Sequence, residues 1–220
     1  MPRKFSTVVF WFDGAFSDSL SSQIIELLNP ALNSSEKLAL LQKVRPLFEL
    51  MAIGKLNPEA FCHKVVETCQ LKADPSSISK RLIEAQEMNQ AFFDIYRQIS
   101  PEFDPRVIID IPEVWFRQLV QRWNVEDSFP DGRLIFLEQS GLGQLIPDVF
   151  QYIPQAVGKK MKDCFVVDPL QMRAVAAHRI GLVSTAFVYP RRMRIDLALQ
   201  GIWKTTEDVY HPAAGSRTKI

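Results

Sequence analysis

The sequence predicts an α/β fold: a three-layer, Rossmann-like parallel sheet with an α-helical cap inserted after the first strand. Three observations predict it. A continuous apolar run over residues 7–12 ends directly in Asp13-Gly14, which is typical of a buried parallel strand followed by a sharp turn. Residues 18–100 have helical periodicity and little strand signal. From Arg106 onward, apolar β runs alternate with amphipathic helices, which favours a parallel sheet with right-handed crossovers.

Several residues within 18–100 predict where the helices of the insertion begin. Asn57 precedes Pro58, and this pair combines a preferred N-cap residue with a proline at the first helical position. Asp74 before a proline predicts the start of the next helix, and Asn89 predicts the cap of a further one. Pro46 is expected to kink or divide an earlier helical segment over residues 36–51.

The second half of the chain supplies the remaining strands. Four short apolar runs are predicted as strands, separated by helices that carry Trp115, Val149 and Ala174. The strands are Val107–Ile111, Leu134–Leu137, Cys164–Val167 and Leu182–Val188. We therefore assign residues 1–17 and 101–220 to the α/β core and residues 18–100 to the α-helical cap.

Composition narrows the range of functions. The 220 residues are 47% hydrophobic and 23% charged, with a formal net charge of +1, as in ordinary globular proteins. This balance predicts no nucleic-acid partner. The apolar runs are too short for membrane insertion, and no signal peptide is evident at the start, so we expect a cytoplasmic location. Three cysteines, an odd number, predict reduced thiols.

Several polar residues are expected at one edge of the sheet. Trp11 and Asp13 are two positions apart and are expected to lie side by side at the carboxyl end of the first strand. Asp110 and Asp168 end or follow neighbouring strands, and open α/β sheets bind ligands at this edge. The three carboxylates could hold Mg²⁺, although carboxylates that cap helix starts are the plainer interpretation.

The segment Trp11-Phe12-Asp13-Gly14-Ala15, with the apolar run before it, resembles motif I of the haloacid dehalogenase-like (HAD) hydrolases. In that family hydrophobic residues lead into Asp-x-Asp-Gly-Thr, and the first Asp attacks phosphorus or carbon. The resemblance covers nearly the whole chain, with supporting phrases at residues 54–61, 111–115 and 164–168. It implies a HAD-like core with a helical cap and degenerate catalytic motifs.

Position by position, the resemblance implies that most of the catalytic groups are altered. Trp11 stands where the family has its nucleophile, and an indole has no oxygen with which to attack. Asp13 falls on the residual general acid and base. Ile109 falls on the Ser or Thr that binds phosphate, and Gln144 on the lysine. Motif IV, which often has two aspartates for magnesium, here reads Asp168-Pro169.

These departures predict a catalytically degenerate HAD-like protein, a pseudoenzyme without a cofactor, which acts through binding or regulatory contacts with an unidentified protein partner. The alternative is a Mg²⁺-dependent phosphatase or hydrolase in which Asp13 activates water without a covalent intermediate and Asp13, Asp110 and Asp168 hold the metal. Small-molecule sensing without chemistry is a third possibility. Trp11 is expected either to plug the pocket or to pack between the sheet and the cap. The sequence does not indicate whether the protein forms oligomers.

Overall fold

A computed structural model describes residues 5–28, 31–99, 101–142 and 148–203. Within these ranges the strands form one parallel five-stranded sheet in the order β3-β2-β1-β4-β5. The strands are β1 Thr7–Trp11, β2 Pro105–Ile109, β3 Leu134–Phe136, β4 Cys164–Asp168 and β5 Val183–Ala186. The predicted α/β class is confirmed.

The first strand lies at the centre of the sheet. Phe10 is in register with Val107 of β2 on one side and with Val167 of β4 on the other. Every residue of β1 and of β4 is buried, because helices cover both faces of the sheet. The carboxyl ends of β1, β2 and β4 therefore lie side by side in the middle of one edge.

Among the described residues, five α-helices lie between β1 and β2, all within residues 18–100. They are α1 Leu20–Leu28, α2 Ser34–Ala52, α3 Pro58–Thr68, α4 Pro75–Ala85 and α5 Gln90–Gln98. The later helices alternate with the strands: α6 Glu113–Arg122, α7 Leu137–Ser140, α8 Asp148–Ala156, α9 Gln171–Arg179 and α10 Pro190–Leu199. The helical insertion after the first strand is confirmed.

The predicted helix starts have the expected capping contacts. The side chain of Asn57 accepts a hydrogen bond from the Ala60 backbone N–H at 2.8 Å, and Asp74 and Asn89 accept corresponding bonds at the starts of α4 and α5. Pro46 does not divide its segment, because α2 continues through it to Ala52. The predicted division is therefore wrong, and the kink, the other possibility given for Pro46, stays a prediction.

Side chains from the two faces of the sheet enter separate apolar clusters, which gives the three layers. Phe10, Phe12 and Ile109 belong to a large cluster shared with α5, α6, α10 and the insertion. Val9 and Trp11 point the other way, into a smaller cluster with α8 and α9. The alternation follows from the period of two in a strand.

Helix α5 packs on the sheet although it lies in the sequence range assigned to the cap. Phe92 and Tyr96 meet the ring of Phe10 edge to face, at centroid distances of 5.8 and 5.4 Å. This helix is therefore the crossover that leads from the insertion into β2, whereas α1 to α4 pack mainly on one another. The boundary at residue 100 stays a prediction.

None of the helices in the described ranges combines the length and the apolar character needed to cross a bilayer.

Candidate functional site

Trp11 is at the centre of the polar cluster at the carboxyl edge of the sheet. It is the last residue of β1, and none of its surface is exposed. Its ring packs against Phe150 of α8 at a centroid distance of 6.0 Å. Its indole Nε1–H donates a hydrogen bond to Oδ2 of Asp110. The indole is therefore fixed both by packing and by a polar contact.

Asp110 directly follows β2 and is almost fully buried. Besides the indole, it accepts a hydrogen bond from the backbone N–H of Asp13 at 3.0 Å through Oδ1. Ile109, one position earlier, points to the opposite face and lies in the larger apolar cluster. Of the two residues expected beside Trp11, Asp110 contacts the indole, whereas Ile109 belongs to the cluster on the other face of the sheet.

The carboxylate of Asp13 is engaged by the start of α1. Its Oδ1 accepts a hydrogen bond from the Leu20 backbone N–H at 2.9 Å, and its Oδ2 accepts one from the Ser19 hydroxyl at 3.1 Å. Between them, Gly14 has a φ of +84°, a conformation that favours glycine, and a Cβ there would lie 3.4 Å from Pro169. Asp13 thus accepts hydrogen bonds at the N-terminus of a helix, the plainer of its predicted roles.

A buried arginine completes the cluster. Asp168, the last residue of β4, accepts hydrogen bonds at Oδ1 from the Leu170 backbone N–H at 2.7 Å and from Nε of Arg173 at 3.0 Å. Nη1 of the same arginine lies 3.8 Å from Oδ2 of Asp110. The guanidinium carbon is 3.9 Å from the centroid of the Trp11 ring, a close cation–π contact. Arg173 is 5% exposed.

Burial dominates the electrostatics of the three carboxyl groups. Desolvation raises the pKa of Asp110 to about 8, the negative charge of Asp13 acts in the same direction, and Arg173 opposes both. Burial also raises the pKa of Asp13 and of Asp168, again against the effect of Arg173. Burial thus favours the protonated form of all three carboxyl groups, and the charge of the Arg173 guanidinium favours their ionised form.

These shifts predict a pH dependence of stability. The pKa of Asp110 is 3.8 in an ordinary environment and about 8 in the folded chain, so the folded state binds more protons between these two values. The free energy of unfolding should therefore fall as the pH rises from about 4 to about 8. Urea unfolding across this range should give a clearly shallower slope for Asp110→Asn than for the unaltered chain. The exposed Asp18→Asn is the control, and equal slopes for all three proteins would contradict the prediction.

The residues present do not fit a magnesium ion. Mg²⁺ needs near-octahedral oxygen ligands, whereas the guanidinium of Arg173, itself a cation, already pairs with Asp110 and Asp168. The oxygens of Asp13 and Asp110 also accept hydrogen bonds from the protein. Among the described residues, one oxygen of the cluster, Oδ2 of Asp168, has no hydrogen-bond partner. No group of three or more potential metal ligands is found in the part of the chain that the structure describes.

The structure thus brings together Trp11, Asp13, Asp110 and Asp168. Gln144, the residue expected at the position of the family's lysine, lies outside the described residues. Arg173 was missed by the sequence analysis, because arginine in a helix is usually exposed. Its position five residues after Asp168, at the start of the helix that follows β4, is the signal that could have indicated it.

Comparison with known proteins identifies the fold. No protein-family model and no curated protein sequence matches the chain. A solved HAD family enzyme from Bacteroides thetaiotaomicron is similar in structure, with a TM-score of 0.65 at 12% identity over 84% of this chain and 94% of that one. The chain has the HAD-like fold with a helical cap. The similarity extends to L-2-haloacid dehalogenase from Xanthobacter autotrophicus, with a TM-score of 0.60 at 14% identity over 91% of this chain and 85% of that one.

Two of these solved structures contain ligands. The Bacteroides enzyme has been solved in complex with magnesium and inorganic phosphate, and the Xanthobacter dehalogenase with chloropropionic acid covalently bound. At these identities the similarity establishes the HAD-like fold of this chain and leaves its chemistry to the residues of its own site.

Proposed function

We propose that this protein is a catalytically inactive HAD-like scaffold that acts by binding another protein. The observation that carries the proposal is the buried Trp11 indole at the end of β1, which is hydrogen-bonded to Asp110 and covered by Arg173. In the aspartyl chemistry that the motif resemblance implies, this position supplies the attacking carboxylate. An indole supplies neither a nucleophile nor a charge to bind a metal.

The electrostatics support the same proposal. Phosphoryl transfer depends on positive groups and hydrogen-bond donors directed at the transferring group. Among the described residues next to Trp11, the cation is Arg173, and it is paired with Asp168 and Asp110 and covers the indole ring. The guanidinium is therefore directed at these groups and not at an incoming phosphate.

An exposed apolar surface supports binding as the alternative to catalysis. Met172 is 85% exposed, Val175, three positions later in α9, is about half exposed, and so is Leu170, which directly precedes the helix. Side chains three positions apart on a helix are neighbours, so Met172 and Val175 form a continuous apolar patch.

The free cysteines are compatible with a cytoplasmic location, which we include in the proposal.

The activity test uses the purified chain with a panel of phosphate esters and MgCl₂. We expect no turnover above the buffer rate, because no nucleophile is available at the end of β1. Metal-stimulated turnover that survives repurification would overturn the proposal.

The contact surface is tested with a charge placed in the patch. Met172→Glu should abolish the crosslinks that a photoreactive group at position 175 forms with a partner in cell extract. The control is Leu199→Glu, which also places a charge at an exposed apolar residue, but on α10. This variant should form the same crosslinks as the unaltered chain. Crosslinks that persist in Met172→Glu would exclude this patch.

One observation favours the alternative, a Mg²⁺-dependent hydrolase. The raised pKa of Asp13 brings its proton exchange closer to neutral pH, as a general base requires. Both of its oxygens, however, are already held by Leu20 and Ser19. This alternative predicts turnover with magnesium that Asp13→Asn abolishes.

A further inference from the structure

We infer that the Arg173 guanidinium is a built-in replacement for a metal ion, so that this site is neutralised by the chain itself and does not take up Mg²⁺. The inference concerns the site discussed above and rests on the proposed non-catalytic function. It adds a specific role for Arg173, which no comparison or sequence motif assigns.

The buried carboxyl groups of the cluster need a cation. Asp13, Asp110 and Asp168 converge on the middle of the sheet edge, and the last two are at most 2% exposed. Buried carboxylates are stable only when they are protonated or paired with positive charge. Where a HAD family enzyme is solved with magnesium, an ion from solution is present; here a side chain supplies the charge.

The guanidinium of Arg173 lies where it can pair with two of these carboxylates. It lies within 3.0 Å of one aspartate oxygen and 3.8 Å of another, and it covers the ring of Trp11. It thus joins carboxylates at the carboxyl ends of two different strands, β2 and β4. A planar guanidinium can pair with carboxylates at its edges while its face lies on an aromatic ring, which an ammonium group cannot do.

The positive charge of Arg173 stands at an unfavourable position in its own helix. Arg173 is the third residue of α9, where the helix dipole disfavours a cation. The aspartates and the Trp11 ring that it contacts offset this penalty. Its location is therefore determined by the carboxylate cluster and not by the preferences of its own helix.

The experiment measures melting temperature against added cations. The unaltered chain should melt at the same temperature, within about 1 °C, in about 10 mM MgCl₂ and in NaCl of equal ionic strength. Arg173→Ala should melt at a lower temperature and recover part of the loss in methylguanidinium chloride, with less recovery in methylammonium chloride. Arg179→Ala, which removes an exposed arginine from the same helix, should match the unaltered chain throughout.

Two results would overturn the inference. One is a saturable rise in the melting temperature of the unaltered chain with Mg²⁺ that Asp168→Asn removes. The other is a folded Arg173→Ala protein that does not respond to methylguanidinium. If Arg173→Ala cannot be purified, Arg173→Lys replaces it, because lysine keeps the charge. This variant should melt below the unaltered chain and should not respond to Mg²⁺, and a saturable rise in its melting temperature with Mg²⁺ would overturn the inference.

The result is separable from the proposed function. Phosphate-ester turnover without any Mg²⁺ response would refute the inactive scaffold and leave the role of Arg173 intact. Binding of Mg²⁺ at Asp168 without turnover would refute the role of Arg173 and leave the inactive scaffold intact.

Discussion

Replacing Arg173 with methionine should lower the free energy of unfolding by about 3–5 kcal/mol, because it leaves buried carboxyl groups without their cation. Methionine keeps most of the aliphatic volume, so the loss reports mainly on charge. The paired aspartates are at most 2% exposed, and solvent therefore cannot take over the role of the guanidinium. Urea denaturation of the two proteins measures the difference.

Two comparisons make this prediction specific. The exposed Arg179→Met on the same helix should change stability by no more than about 0.5 kcal/mol. Asp168→Asn combined with Arg173→Met should lose less than the two single changes added together, because each partner is costly only when the other remains. A loss below about 1 kcal/mol for Arg173→Met, or full additivity in the double variant, would show that the contact does not stabilise the fold.

Trp11→Ala should lower the free energy of unfolding by about 3–5 kcal/mol, since it removes a fully buried indole and opens a cavity next to Phe150. Trp11→Phe fills most of that volume but cannot donate a hydrogen bond to Asp110, and it should lose about 1–3 kcal/mol. Chemical denaturation distinguishes the two. Equal stability of the alanine variant and the unaltered chain would mean that the indole is not packed in the core.

Trp11→Asp tests packing and chemistry together. The substitution supplies the missing carboxylate but adds a further negative charge beside Asp110, where Arg173 is the one cation described, so the protein should be less stable than Trp11→Ala. It should not hydrolyse phosphate esters, because Ile109 and Gln144 still stand where the resemblance implies the phosphate-binding hydroxyl and the lysine. Turnover by this single variant would mean that the rest of the catalytic site is intact.

The fold could be predicted because its signals are local and redundant. The apolar run of β1 and the capping residues Asn57, Asp74 and Asn89 each fix an element independently of the others. The predicted division at Pro46 did not occur, because the other backbone hydrogen bonds of a 19-residue helix outweigh the loss of one donor.

The site was predicted only in part. Topology alone brings Trp11, Asp110 and Asp168 to one edge, because parallel neighbouring strands end together. A shift of one residue in β2 exchanges the faces of Ile109 and Asp110, and sequence patterns do not fix a strand end to one residue. Arg173 was not predicted, since periodicity does not encode a contact between a helix and two strand ends; its position just after Asp168 was the one available signal.

A crystal structure of the protein grown with magnesium and a phosphate mimic tests the central claim most directly. We predict that the indole of Trp11 lies between Asp110 and Arg173, with neither metal nor anion bound at the end of β1. A Trp11 side chain turned away from the sheet, with a metal held by Asp13 and Asp168 beside a bound anion, would contradict it.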